Sequence, residues 1–166
     1  RKRKYYQKIN GNNKEISFKE YEDTIITINN FVDSIKNFDF SPLETIMYVY
    51  DIVRDRIYKE VDENEDKMIS RNLTSALLGD KIVCVGYAVI FSTLLNRLGI
   101  ACDEVFLRQP GKKVGHARNV IRIKDDKYNV DGIYYFDPTW NSKKNKFDNN
   151  FMFSYRYFAL TKEQMD

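Results

Sequence analysis

The run CVGYAVIFSTLLNRLG, Cys84 to Gly99, separates two kinds of pattern in this 166-residue chain. Within it Cys84, Tyr87, Ala88, Phe91, Leu94, Leu95 and Leu98 recur three or four apart, which predicts one buried face of a helix. Gly99 stands where a left-handed residue closes such a helix. Beyond it the period changes. Ile100 to Leu107, His116 to Lys124 and Tyr128 to Phe136 alternate and are rich in Val, Ile, Tyr and Phe, the signature of strands. Gln109 to Lys113, with Pro110 and Gly111, and Lys124 to Lys127 read as the turns between them. Short turns imply antiparallel neighbours.

Upstream the reading is helical. Tyr21, Ile25, Ile28, Phe31, Val32, Ile35 and Phe38 form a stripe that predicts a helix over Lys19 to Phe38. Ser41-Pro42-Leu43-Glu44 is a helix start: a serine cap, a proline in the first turn and a glutamate that completes a capping box. Leu43, Ile46, Met47, Tyr50, Val53 and Ile57 continue it as an apolar stripe. A short apolar stretch from Leu73 to Leu78 and a turn at Gly79 to Lys81 lead to Cys84. Helices first and strands afterwards predict an α+β fold with a segregated antiparallel sheet. The length suits one domain, read as residues 19–166 after an extension at 1–18, with no repeat or dividing linker.

Composition excludes several classes. With 43% hydrophobic residues, 11 Phe and 12 Tyr, the chain has ample core material and is not disordered. Only 7 Gly and 3 Pro rule out collagen-like sequence. The 27 basic and 24 acidic residues are interspersed and leave +3, so no nucleic-acid partner is indicated. The exception, Arg1 to Lys4, reads as a solvated tail. The longest nearly apolar run, Ile82 to Phe91, contains Gly86 and is far short of the roughly 20 residues that span a bilayer. Two cysteines make no disulfide framework and lean towards a reducing, cytoplasmic compartment, with a cell-surface or secreted fragment as the alternative. The acidic run Asp62 to Asp66 lacks the glycine and spacing of a calcium loop and reads as solvated. One histidine and no Cys-x-x-Cys pair argue against zinc, and no glycine-rich phosphate loop follows a strand. No metal or cofactor is expected.

Chemistry concentrates on three residues. Cys84 stands at a helix start, where free N–H groups and the positive dipole end favour thiolate over thiol. His116 begins a strand after a glycine-containing turn, so its imidazole stands at a sheet edge. Asp137 follows the next strand and, if the two strands pair antiparallel, returns to the level of His116. The competing readings are an inert buried Cys84 and an Asp137 that merely forms a turn before Pro138.

The surrounding residues resemble a known family. Gly79-Asp80-Lys81-Ile82-Val83-Cys84-Val85-Gly86-Tyr87-Ala88 is similar to the cysteine motif of bacterial transglutaminase-like proteins, and Leu94 to Cys102 to the helix and strand that follow it. Gly115-His116-Ala117-Arg118-Asn119 resembles the histidine motif, and Tyr135-Phe136-Asp137-Pro138-Thr139-Trp140 the aspartate motif, in the family's order. The resemblance covers about Leu73 to Asn141. It implies a papain-like α+β core with Cys84 as nucleophile, His116 as general base and acid, and Asp137 orienting His116. Three features depart from the pattern: Arg118 stands where Trp is usual, Tyr134-Tyr135 where Trp-Tyr is usual, and the His116–Asp137 stretch is long, with Asp131-Gly132 suggesting an extra turn.

The expected activity is thiol-dependent acyl transfer on protein or peptide amides, with transamidation and deamidation or hydrolysis both open. A cysteine peptidase or amidase on the same core and a non-catalytic binding module are the alternatives. Arg118, two residues after His116 on one strand face, is a candidate for the substrate cleft, where a cation would disfavour a lysine acceptor, or else pairs with a local carboxylate. Trp140 is a candidate apolar wall or core residue. Tyr87 is a weaker candidate, more at home in the core, and Cys102 reads as a small buried hydrophobe.

Overall fold

The structure, a computed structural model, describes residues 4–9, 12–108, 110–111, 115–142 and 155–166. It is α+β, as the change of period at Gly99 predicts. A hairpin of β1 (Tyr5–Ile9) and β2 (Asn12–Ile16) precedes α1 (Phe18–Ile35) and α2 (Pro42–Arg54). A 3-10 turn at Lys67–Arg71 and α3 (Leu73–Leu78) lead to α4 (Cys84–Arg97). Strands β3 (Cys102–Leu107), β4 (His116–Asp125) and β5 (Val130–Phe136) form an antiparallel meander, and a short α5 (Lys162–Met165) follows. Arg1 to Arg3 and most of the turn at Gln109 to Lys113 lie outside the described residues; Lys4 pairs with Glu15 at 3.3 Å. No described helix is long and apolar enough to cross a membrane.

Local chemistry sets the helix boundaries. Ser41 and Glu44 form the predicted capping box at α2. An equivalent box from Ser17 and Glu20, unremarked in the sequence reading, starts α1. The helix ends at Ile35 rather than Phe38, and its buried face is Thr24, Ile28 and Ile35. Phe38 instead joins Phe40 and Tyr48 in a surface aromatic cluster. Gly99, at φ +83°, ends α4 as expected.

The extra turn suggested by Asp131-Gly132 is absent. β5 runs straight through both residues, with Gly132 opposite Ile123, and the ring of Tyr134 fills the space that a side chain at Gly132 would take. The reversal occurs over residues 126–129, where Asn129 adopts φ 54°. The core lies between the helices and the inner face of the sheet. Ile46, Val49 and Tyr50 of α2, Tyr87, Phe91 and Leu95 of α4, and Ile121, Ile123 and Phe136 of the sheet are fully enclosed. Tyr50, Phe91 and Phe136 meet there at tilted or edge-on angles. Burying side chains of this size contributes roughly 1.5–3 kcal/mol each, which fixes α4 against the meander.

Candidate active site

The approach to Cys84 is held by backbone. Lys59 and Ile82 exchange N–H···O bonds of 2.9 Å in each direction, and Val83 N–H donates to Ser70 O at 3.1 Å. Gly86 lets the first turn of α4 sit close, since a Cβ there would meet Ile82 Cγ1 at 2.8 Å and Ser70 O at 3.1 Å. Val83 is the extended N-cap residue and offers no side-chain acceptor, so α4 starts without a cap and Cys84 is its first residue. The groups that act on the sulfur are the His116 ring and the backbone N–H groups of Val85 and Ala117. Burial pushes the Cys84 thiol up, but the His116 ring, its charge and these two N–H groups outweigh burial and bring it below the ordinary thiol range.

His116 opens β4 opposite Leu107. Its Nε2 lies 2.5 Å from Asp137 Oδ2, which leaves Nδ1 as the ring nitrogen available to Cys84. Burial alone would lower its pKa; the Asp137 carboxylate and the Cys84 sulfur reverse that and raise it to about 9. A lowered thiol beside a raised imidazole favours the thiolate–imidazolium pair near neutrality. Trp140 lies flat on the imidazole, with ring centroids 4.7 Å apart and planes 12° from parallel.

Asp137 is fully buried and anchored on every polar atom. Its Oδ1 accepts from Trp140 N–H at 2.9 Å, and its own N–H donates to Tyr157 O at 2.9 Å. The Asp137 carbonyl accepts from Tyr50 Oη and from Asn141 N–H, each at 3.2 Å. Asn141 Oδ1 in turn accepts from Tyr50 Oη at 2.8 Å and Tyr157 N–H at 2.9 Å. Beside this, Tyr135 and Leu160 exchange backbone bonds of 2.8 and 3.0 Å, so the C-terminal segment runs along β5. Sequence reasoning placed Tyr50 in a core stripe and missed its hydroxyl, and it gave Asn141 and Tyr157 no role. Asn141 sits just past the aspartate motif, where a turn signal was available; Tyr157 had none. Tyr58 was also missed. Its half-buried phenol is pushed up first by burial and then by the neighbouring Cys84.

The other candidates fall elsewhere. Arg118 is 4% exposed, donates to Asp166 Oδ1 at 2.9 Å and to Met165 O at 3.5 Å, and lies 5.4 Å from the centre of the Tyr135 ring. Its guanidinium is therefore engaged under α5, the carboxylate-paired alternative of the sequence reading. Tyr87 is wholly enclosed, donates to Arg56 O at 2.6 Å, and has its phenol pushed up to about 12 by burial. Cys102 is buried and likewise pushed up to about 12. Trp140, 42% exposed, alone of the three weaker candidates borders His116 and solvent together. Among the described residues no group of three or more His, Cys, Asp or Glu side chains could hold a metal ion.

No family model matches the chain, and no curated protein matches it. Among solved structures, a crystal structure of a TGase superposes with a TM-score of 0.54 at 16% identity, over 75% of this chain and 33% of its own length. The fold is TGase-like. At that identity the likeness is one of architecture, and the chain spans about a third of the length of that TGase. The TGase-like frame here brings the start of α4, the start of β4 and the end of β5 to one place.

Proposed function

We propose that this chain is a transglutaminase-like thiol acyltransferase, papain-like in its use of Cys84, His116 and Asp137, acting on protein or peptide amides. The observation that carries the reading is the His116 ring, hydrogen-bonded to buried Asp137 through Nε2 while the Cys84 sulfur acts on the same ring. The Cys84 thiolate attacks the amide carbon and forms a C–S bond. The Cys84 N–H, in the first turn of α4 and without an intrahelical partner, donates to the developing oxyanion. His116 then gives its proton to the leaving nitrogen as the C–N bond breaks, leaving a thioester and neutral imidazole. An incoming amine or water passes a proton to His116, displaces sulfur and restores the thiolate–imidazolium pair. Asp137 keeps Nδ1 aimed at sulfur throughout, and Trp140 walls the cleft beside it.

Whether an amine or water completes the reaction depends on how the cleft admits each. The cation expected to repel a lysine is engaged by Asp166, so it gives no reason to disfavour transamidation. The test is incorporation of a fluorescent primary amine into a glutamine-containing peptide, with deamidated and cleaved products read by mass spectrometry in the same reactions. Amine-labelled or hydrolysed product from the wild type and none from Cys84→Ala is expected. Equal product from both proteins would sink the proposal.

A further inference from the structure

Trp140 does two things to the same pair of residues. Its indole covers one face of His116, and its backbone N–H holds Asp137 Oδ1 while Oδ2 holds His116 Nε2. The indole is itself seated: the ring of Tyr157 meets it at 65° with centroids 5.2 Å apart, and Tyr157 O accepts the Asp137 N–H. We infer that Trp140 is a positioning residue that keeps the His116 ring in the plane joining Asp137 to Cys84 and favours its protonated form. The inference rests on the acyl-transfer reading above. An imidazole turns about a single bond to its Cβ, and flat contact over one face resists that turn. The negative face of the indole attracts imidazolium more than neutral imidazole. Water kept from that face also leaves the Asp137–His116 attraction less screened. The charged groups that act on the ring are Asp137 from the end of β5 and Cys84 from α4.

The test exploits the fact that this chain has one histidine, so its imidazole signals are unambiguous. NMR titration of the wild type, Trp140→Phe and Trp140→Leu compares full, partial and absent π faces while leaving the backbone N–H to Asp137 in place. The His116 ring protons of the wild type should be displaced upfield by the indole ring current and titrate near pH 9. The Leu variant should titrate lower by about half a pH unit or more, with Phe in between. Wild-type ring protons at ordinary positions would overturn the inference without any variant having to fold. So would a folded Leu variant that titrates with the wild type. Iodoacetamide alkylation of Cys84 against pH, on the same samples, reads the acyl-transfer proposal separately. An ordinary thiol there would overturn that proposal and this inference with it.

Discussion

Arg118 and Asp166, 48 residues apart in sequence, hold each other at 2.9 Å, with the guanidinium buried and the carboxylate half-exposed. The contact lies two residues from His116, yet it faces the C-terminal helix. Replacing Arg118 with Gln or Trp should leave the ratio of amine incorporation to hydrolysis unchanged on a single glutamine peptide. Asp166→Asn should cost about 1–3 kcal/mol, because it leaves a buried cation without its carboxylate. Denaturant unfolding reads that loss. A shifted product ratio in the Arg118 variants would return this residue to the cleft.

The two cysteines should separate cleanly. Cys84→Ala is expected to lower turnover at least about a thousandfold with little change in melting temperature. Cys102→Ala should keep activity and lose about 1 kcal/mol through a small cavity. Burial pushes Cys102 up to about 12, so limited iodoacetamide treatment near neutral pH should label Cys84 alone, as peptide mapping would reveal.

A bell-shaped dependence of kcat/KM on pH is expected, rising through the lowered Cys84 thiol and falling as His116 loses its proton near pH 9. Stability has the corresponding signs. His116 is raised from 6.5 to about 9 by Asp137 and Cys84, so its contribution is complete below 6.5 and is lost as pH rises through about 9. Cys84 is lowered, so its contribution is present above the ordinary thiol range and is lost as pH falls through its native value. The two slopes oppose each other in the wild type. In Cys84→Ala, where His116 retains Asp137, melting temperature should fall on raising the pH through the His116 titration. Thermal melts from pH 6 to 10 provide the check, and Cys84→Ala melts that rise with pH would contradict the pairing.

Tyr50→Phe removes a buried hydroxyl that serves Asn141 Oδ1 at 2.8 Å and the carbonyls of Asp137 and Tyr157, each at 3.2 Å. A loss of about 1 kcal/mol is expected from the lost hydroxyl hydrogen bonds, since each of the three acceptors keeps a backbone N–H donor. Turnover should fall several-fold with KM little changed, since the hydroxyl seats Asp137 and is remote from substrate. Steady-state kinetics beside a melt separates the two effects, and unchanged turnover would detach Tyr50 from the site.

What was legible in the sequence was local. The capping box at Ser41 and Glu44, the stop at Gly99 and the alternation of β4 and β5 each depend on neighbours a few residues away. The places of Cys84 at a helix start, His116 at a strand start and Asp137 just past a strand end were legible because period changes and turn signals mark those boundaries. Arg118 was not, because alternation fixes which face of β4 it occupies and says nothing of Asp166. Tyr50 looked like core and is core; only its hydroxyl reaches Asp137. The seat of Asp137 on Tyr157 depends on a returning segment whose sequence carries no period. Asp131-Gly132 misled because the pair is a frequent turn signal, while here the glycine makes room for Tyr134.

The docking of residues 155–166 along β5 also bears on the order of events during synthesis. Cys84, His116 and Asp137 all leave the ribosome before Tyr157, Leu160 and Asp166 do. The meander of β3, β4 and β5 can close on neighbouring contacts, which form quickly. Tyr157 and Asp166 instead reach Asp137 and Arg118 from 20 and 48 residues further along the chain, a slower closure. A nascent chain therefore carries Cys84, His116 and Asp137 before it carries Tyr157, whose carbonyl seats the Asp137 backbone N–H. The backbone of Asp137 thus gains its last anchor only after the sheet that carries it has closed.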